Sequence, residues 1–153
     1  MGIITKIFLT GLTYAVLGAL GLLLAIPPGY ASPVFPAAGL AVAAVLCHGN
    51  RILPGVWLGS FLLNVGLSFS HGTFNFKTVV VAAMLGLGAM AQAYVAKLLI
   101  ARWQPETWRH LETELDIALF MGITGPLACF TAATMGVTTL CLAGIVPPAS
   151  FLY

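Results

Sequence analysis

The chain has 153 residues, 60% hydrophobic and 7% charged, with a formal net charge of +2 and a mean hydropathy of +1.05. Soluble domains carry about 25% charged residues, so this composition excludes a water-wetted globule and requires an integral membrane protein. The length allows one helical bundle without a second folded domain. So small and scattered a positive charge excludes a nucleic-acid binder.

The first predicted element is a helix from Ile3 to about Ile26. Its length of ~36 Å spans the ~30 Å hydrocarbon core with tilt to spare. The apolar run from Ile7 exceeds the 7–15 residues of a signal-peptide core, so the helix is expected to be retained. Pro27-Pro28-Gly29 stops it. Next comes Ser32-Pro-Val-Phe-Pro-Ala-Ala-Gly39, where two prolines and a glycine interrupt what should be lipid-spanning backbone. Broken backbone survives in hydrocarbon only where protein covers it or a cavity lines it, and such breaks recur at membrane binding sites.

Phe35–Cys47 is a short apolar piece, ~20 Å if helical. It is re-entrant unless the extended Tyr30–Pro36 stretch dips into the membrane ahead of it. After the polar turn His48–Arg51, a third helix covers Ile52 to about Phe69. It carries the G-x-x-x-G pair Gly55 and Gly59, a close-packing pattern. A polar loop, Ser68–Lys77, leads to a fourth helix over Thr78–Ile100 with Gly86 and Gly88 on it. Arg102–Asp116 is polar and holds all four acids; Trp103 and Trp108 there suit a membrane interface. The last apolar stretch, Leu115–Ile145, is ~46 Å as helix and too long for one crossing. Gly122, Gly125-Pro126 and Gly136 are places to break it, and Pro147-Pro148 ends it.

The expected architecture is therefore an all-α polytopic bundle of about five transmembrane segments, broken or re-entrant near residues 27–39. With the N-terminus cytoplasmic, Lys6, Arg51, Lys97, Arg102 and Arg109 lie inside and only Lys77 outside, which obeys the positive-inside rule. That arrangement needs the 35–47 piece to cross.

Reactive side chains are scarce. No carboxylate pair falls in an apolar run, so acid–base catalysis lacks its groups. The three histidines sit in separate connections, and Cys47, Cys129 and Cys141 lack metal or disulfide spacing. The reading is a non-enzyme with no metal and no cofactor. The informative residues are polar ones inside apolar runs: Asn64, Gln92, Thr131 and Thr134. Counted along their helices, they converge with Ser32 and the Pro36–Gly39 break on an outward-facing pocket floored by Gln92. The same side chains serve equally as hydrogen-bonding glue between helices.

The run Ser32–Leu46, then Leu53-Pro-Gly-Val-Trp-Leu-Gly59 and Asn64, resembles the membrane-associated sensor domain of the first MASE type. Thr131-Ala-Ala-Thr-Met-Gly-Val-Thr-Thr-Leu140 with Gly144 extends the resemblance to about residue 145. Phe35 stands for the family's Trp and Ala37 for its second Pro; Gln92 replaces an often acidic residue. The resemblance implies a bacterial inner-membrane input module for a histidine kinase or a cyclic-di-GMP enzyme. It also implies that residues 1–153 are the N-terminal part of a longer sensor domain. Any catalysis, and any homodimerisation, would lie in an output domain. Its partners would be the lipid bilayer and a small ligand or membrane protein. A small transporter or substrate-capture subunit, and an accessory subunit of a larger complex, are the alternatives.

Overall fold

The computed structural model describes residues 2–24, 35–103, 114, 118, 121–122 and 125–145. Five α-helices of some length lie within them: α1 (Ile3–Leu22), α2 (Pro36–His48), α3 (Leu53–Ser70), α4 (Phe76–Trp103) and α5 (Gly125–Leu142). A 3-10 turn, Asn50–Ile52, joins α2 to α3. The fold is all-helical, and α1, α4, α5 and the Asn50–Ser70 stretch containing α3 are long and apolar enough to cross a membrane. The segment around Ser32 and most of the acidic connection lie outside the described residues.

Local chemistry sets the helix ends. Pro36 opens α2 at its first position, where a missing N–H costs nothing. At α4, the Thr78 N–H donates to Asn75 Oδ1 and the Asn75 N–H donates back to Thr78 Oγ1, each at 3.0 Å. This reciprocal cap starts the helix two residues earlier than expected from hydropathy. Helices α3 and α5 end alike. Gly72 and Gly144 adopt φ of 65° and 63°, and the following N–H groups turn back to Ser68 and Leu140. Those bonds satisfy carbonyls that the helix end would leave unpaired.

Helices α1, α3, α4 and α2 close a ring in which each touches the next, and α5 packs outside it against α4. The core lies within the ring: Tyr14 from α1, Ala37, Ala41 and Val45 from α2, Ile52 and Val56, and Ala93 from α4. The α2 contributors recur every four residues, so one stripe of small side chains faces inward.

The α1–α3 seam is the tightest. A Cβ at Gly55 would lie 2.5 Å from the Ile7 carbonyl oxygen; one at Gly59 would lie 2.6 Å from that of Gly11 and 2.7 Å from Tyr14 Cβ. The partners here are backbone or Cβ atoms, which cannot rotate away. Further along, Gly18 meets Leu63. The sequence offset stays nearly constant along the seam, so α1 and α3 run parallel. Helix α2 must run back between them, and its entry residue Phe35 meets Gly18 and Tyr14. It therefore begins about 6 Å short of the Leu22 end of α1.

Outward faces are apolar. Ile4, Phe8, Leu23, Phe130 and Leu142 are all more than two-thirds exposed, and only Ala128 of α5 is buried. In water such faces would drive aggregation; in lipid they are the required surface. Gly59→Ala should cost about 1–3 kcal/mol through overpacking. Gly66→Ala on the same helix, where an added Cβ meets nothing within 4 Å, should be neutral or slightly stabilising. Thermal unfolding of both variants in mild detergent checks the contrast.

Candidate functional site

Polar side chains inside the helices are where ligand recognition would begin, and most are already occupied. Asn64 Nδ2 donates to the Ser60 carbonyl at 2.8 Å, and Ser68 Oγ to that of Asn64 at 3.0 Å. Thr131 donates to Leu127 O at 3.1 Å and Thr134 to Phe130 O at 2.8 Å. Each bond reaches back one helical turn, which hides the donor from hydrocarbon at little conformational cost.

Polar contacts also bridge helices: the Tyr14 and Ser60 hydroxyls join α1 to α3, and two more involve α4. Trp57 Nε1 on α3 donates to the Ala83 carbonyl of α4 at 3.1 Å. The indole lies over Gly86, where a Cβ would sit 2.9 Å from Trp57 Cδ1, and stacks on Phe61 at 5.2 Å. A side chain at 86 would displace the ring and break this bond. The second bridge is weaker: Gln92 Nε2 approaches Cys129 Sγ of α5 at 3.5 Å. Gly88 faces Met135 Cβ at 3.4 Å, and Gly136 faces Leu85 at 3.7 Å. The falling numbers on α5 against rising ones on α4 make these helices antiparallel.

Register decides which candidate residues can meet. The Trp57–Gly86 contact sets the level of α3 against antiparallel α4. From it, Asn64 lies seven residues toward one end of the bundle and Gln92 six toward the other, about 20 Å apart along the axis. They belong to different layers and line no common cavity. Gln92, Cys129 and half-buried Thr131 share the α4–α5 region, while Thr134 faces outward with exposed Phe130. On α2, Pro36 and Gly39 are exposed, and a Cβ at Gly39 would meet nothing within 4 Å. Helix counting had placed Gln92 near the middle of the membrane below Asn64. It lies instead near the level of the 3-10 turn, because α4 extends well past the start of α3. Ser32 is outside the described residues.

Tertiary structure also gathers charge. Lys6 precedes the Ile7–Gly55 contact, Arg51 sits in the 3-10 turn, and Lys97 Nζ donates to Asn50 Oδ1 at 2.6 Å. With Arg102 further along α4, these cations mark one end of the bundle, and Lys77 in the first turn of α4 marks the other.

Among the described residues, two grooves between helices stand out, neither lined by the polar candidates. One, of about 530 Å³, runs between α1 and α3 and bears no charge. The other, of about 430 Å³, runs between the start of α4 and the end of α5 and includes Lys77. Nothing in the residue pattern announced either, since each is made by two segments far apart in the chain.

Trp57→Phe, which keeps a ring but loses the N–H, should destabilise the bundle by about 0.5–1.5 kcal/mol. Gln92→Leu should change stability by less than about 0.5 kcal/mol, since a sulfur contact is a weak bond. Paired thermal melts in one detergent test that ranking.

No curated protein and no solved structure matches the chain. A family model does: MASE1, over residues 7–153. That match takes in the α1–α3 seam, the α2 entry, the Trp57 bridge and α5 together. MASE1 is a family of membrane sensory domains, and this chain belongs to it.

Proposed function

We propose that the chain is the membrane-embedded input of a bacterial signal-transduction protein whose output is a histidine kinase or a cyclic-di-GMP enzyme. The family match over nearly the whole chain carries this reading. The domain would sit in the inner membrane with five passes. Helix α2 is short, but it runs back between parallel α1 and α3 and so returns the chain to its starting end. Lys6, Arg51, Lys97 and Arg102 would face the cytoplasm, in keeping with the positive-inside rule.

The packing supports a division of labour. Helices α1 and α3 touch backbone to backbone at Gly11, Gly55 and Gly59, which fixes their spacing at that level. Helix α5 rests on α4 through van der Waals contacts at Gly88 and Gly136 and one sulfur contact. A stimulus acts only by favouring one arrangement over another, and the α4–α5 seam is the easier one to shift. The ligand would be a small molecule or membrane partner, recognised near the α2 entry or along that seam.

The seam can be locked. The 3.4 Å between a Cβ at Gly88 and Met135 Cβ is close to the ~3.5–4.5 Å Cβ spacing of a disulfide. In a chimera with a diguanylate cyclase, and with Cys47, Cys129 and Cys141 replaced by serine, the pair Gly88→Cys, Met135→Cys is made and oxidised. Cyclic-di-GMP output should then hold one level across growth conditions that vary it in the reduced protein, and recover its range on reduction. Output that still varies with the crosslink formed rules out motion at this seam as the signal.

A further inference from the structure

Three cations from three elements lie at one level of the bundle. Arg51 sits in the 3-10 turn, and Lys97 Nζ of α4 reaches that turn through Asn50 Oδ1 at 2.6 Å. On α1, Ile7 meets Gly55 and Gly18 meets Leu63. Carried back along the parallel helices, that register puts Lys6 within about one helical turn, ~5 Å, of Arg51 along the axis. Helix α1 also packs on the 3-10 turn itself. Residues 1–105 contain no Asp or Glu, and among the described residues neither Lys6 nor Arg51 has an anionic partner. Asn50 holds Lys97 with a neutral amide oxygen, which fixes the charge without cancelling it. The positive-inside rule accounts for the end these cations occupy; it does not require them to flank a single turn.

Three such charges select for an anion, and their surroundings select for one attached to lipid. Lys6 and Lys97 are half-buried, the state of long cationic side chains whose stems lie on apolar surface. Leu9, Leu12 and Val16 follow Lys6 along α1 at three- and four-residue spacing, each about half exposed, so a lipid-facing stripe rises beside it. Arg51 is exposed, and a guanidinium offers a planar pair of N–H donors that matches two phosphate oxygens. A zwitterionic headgroup would bring a further cation to this place; a headgroup with net negative charge does not. We propose that Lys6, Arg51 and Lys97 bind the phosphate of one anionic phospholipid at the 3-10 turn, its acyl chains lying along the Leu9–Val16 stripe of α1. A lipid held there ties α1, the α2–α3 connection and α4 together at one end. Binding is read directly, without reference to signalling output.

The test uses the whole chain in a neutral detergent, titrated with phosphatidylglycerol or phosphatidylcholine of matched acyl chains, with bound lipids counted by native mass spectrometry. One phosphatidylglycerol should bind saturably, about tenfold or more tighter than phosphatidylcholine. Lys6→Gln and Arg51→Gln should each weaken phosphatidylglycerol binding about fivefold, the effect of one cation near a membrane surface. Both should leave phosphatidylcholine unchanged, and Arg51→Lys should keep most of the affinity. Lys77→Gln, at the opposite end of the bundle, should change neither lipid. Equal retention of the two lipids by the unmodified chain overturns the proposal. So does a loss from Lys77→Gln as large as that from Lys6→Gln, which would mean diffuse attraction to net charge. Displacement of the lipid by inorganic phosphate at millimolar concentration also overturns it, since the cations would then take a free anion.

Discussion

Where α1 crosses α3, main chain meets main chain. Gly55 lies against the Ile7 carbonyl and Gly59 against that of Gly11, so at these two positions no side chain separates the helices. In lipid the hydrophobic effect does not drive helices together, and close van der Waals packing must supply the attraction. This crossing therefore fixes both the spacing and the parallel direction of the two helices. Everything else in the bundle is placed relative to it. Helix α2 runs back against α1 and α4, across the ring from α3; Phe35 packs on Tyr14 and Gly18, and Tyr14 hydrogen-bonds with Ser60. The opposite face of α3 then presents Trp57 to α4.

From that pair outward, the kind of contact changes. The α3–α4 seam has an indole bond and a glycine recess; the α4–α5 seam has ordinary contacts and one sulfur. Motions with low cost come from regions with few buried contacts, and α5, with Ala128 as its buried residue, is the clearest such region among those described. Its exposed apolar surface calls for lipid or further helices.

Much of the local structure was legible in the residues. Apolar runs mark the four long helices and the short Phe35–Cys47 piece; the Asn75–Thr78 cap and the Gly72 and Gly144 turns then shift their ends by a few residues. These features depend on a few neighbouring residues, so chain order carries them. The polar candidates were less legible. Asn64 takes its expected depth by counting from the cytoplasmic start of its helix and Gln92 by counting from the outer start of the next, each start being placed at its membrane face. Helix α4 overshoots α3, which moves Gln92 toward the 3-10 turn and away from Asn64. Thr131 and Thr134 looked available because a sequence does not show that each hydroxyl is already given to its own helix.

The sequence alone determined the solvent and the class of fold: seven per cent charge over 153 residues leaves lipid as the surroundings and helices as the answer. It also marked small residues at which helices can approach. It could not say which helix meets which, because lipid-facing and protein-facing residues are similarly apolar and hydropathy does not tell the faces apart. Only tertiary structure decided that Gly55 and Gly59 receive α1 and that Gly86 receives Trp57. It alone brought Lys77 and Leu142 to the same groove, since two segments more than sixty residues apart become neighbours only through the antiparallel register of α4 and α5.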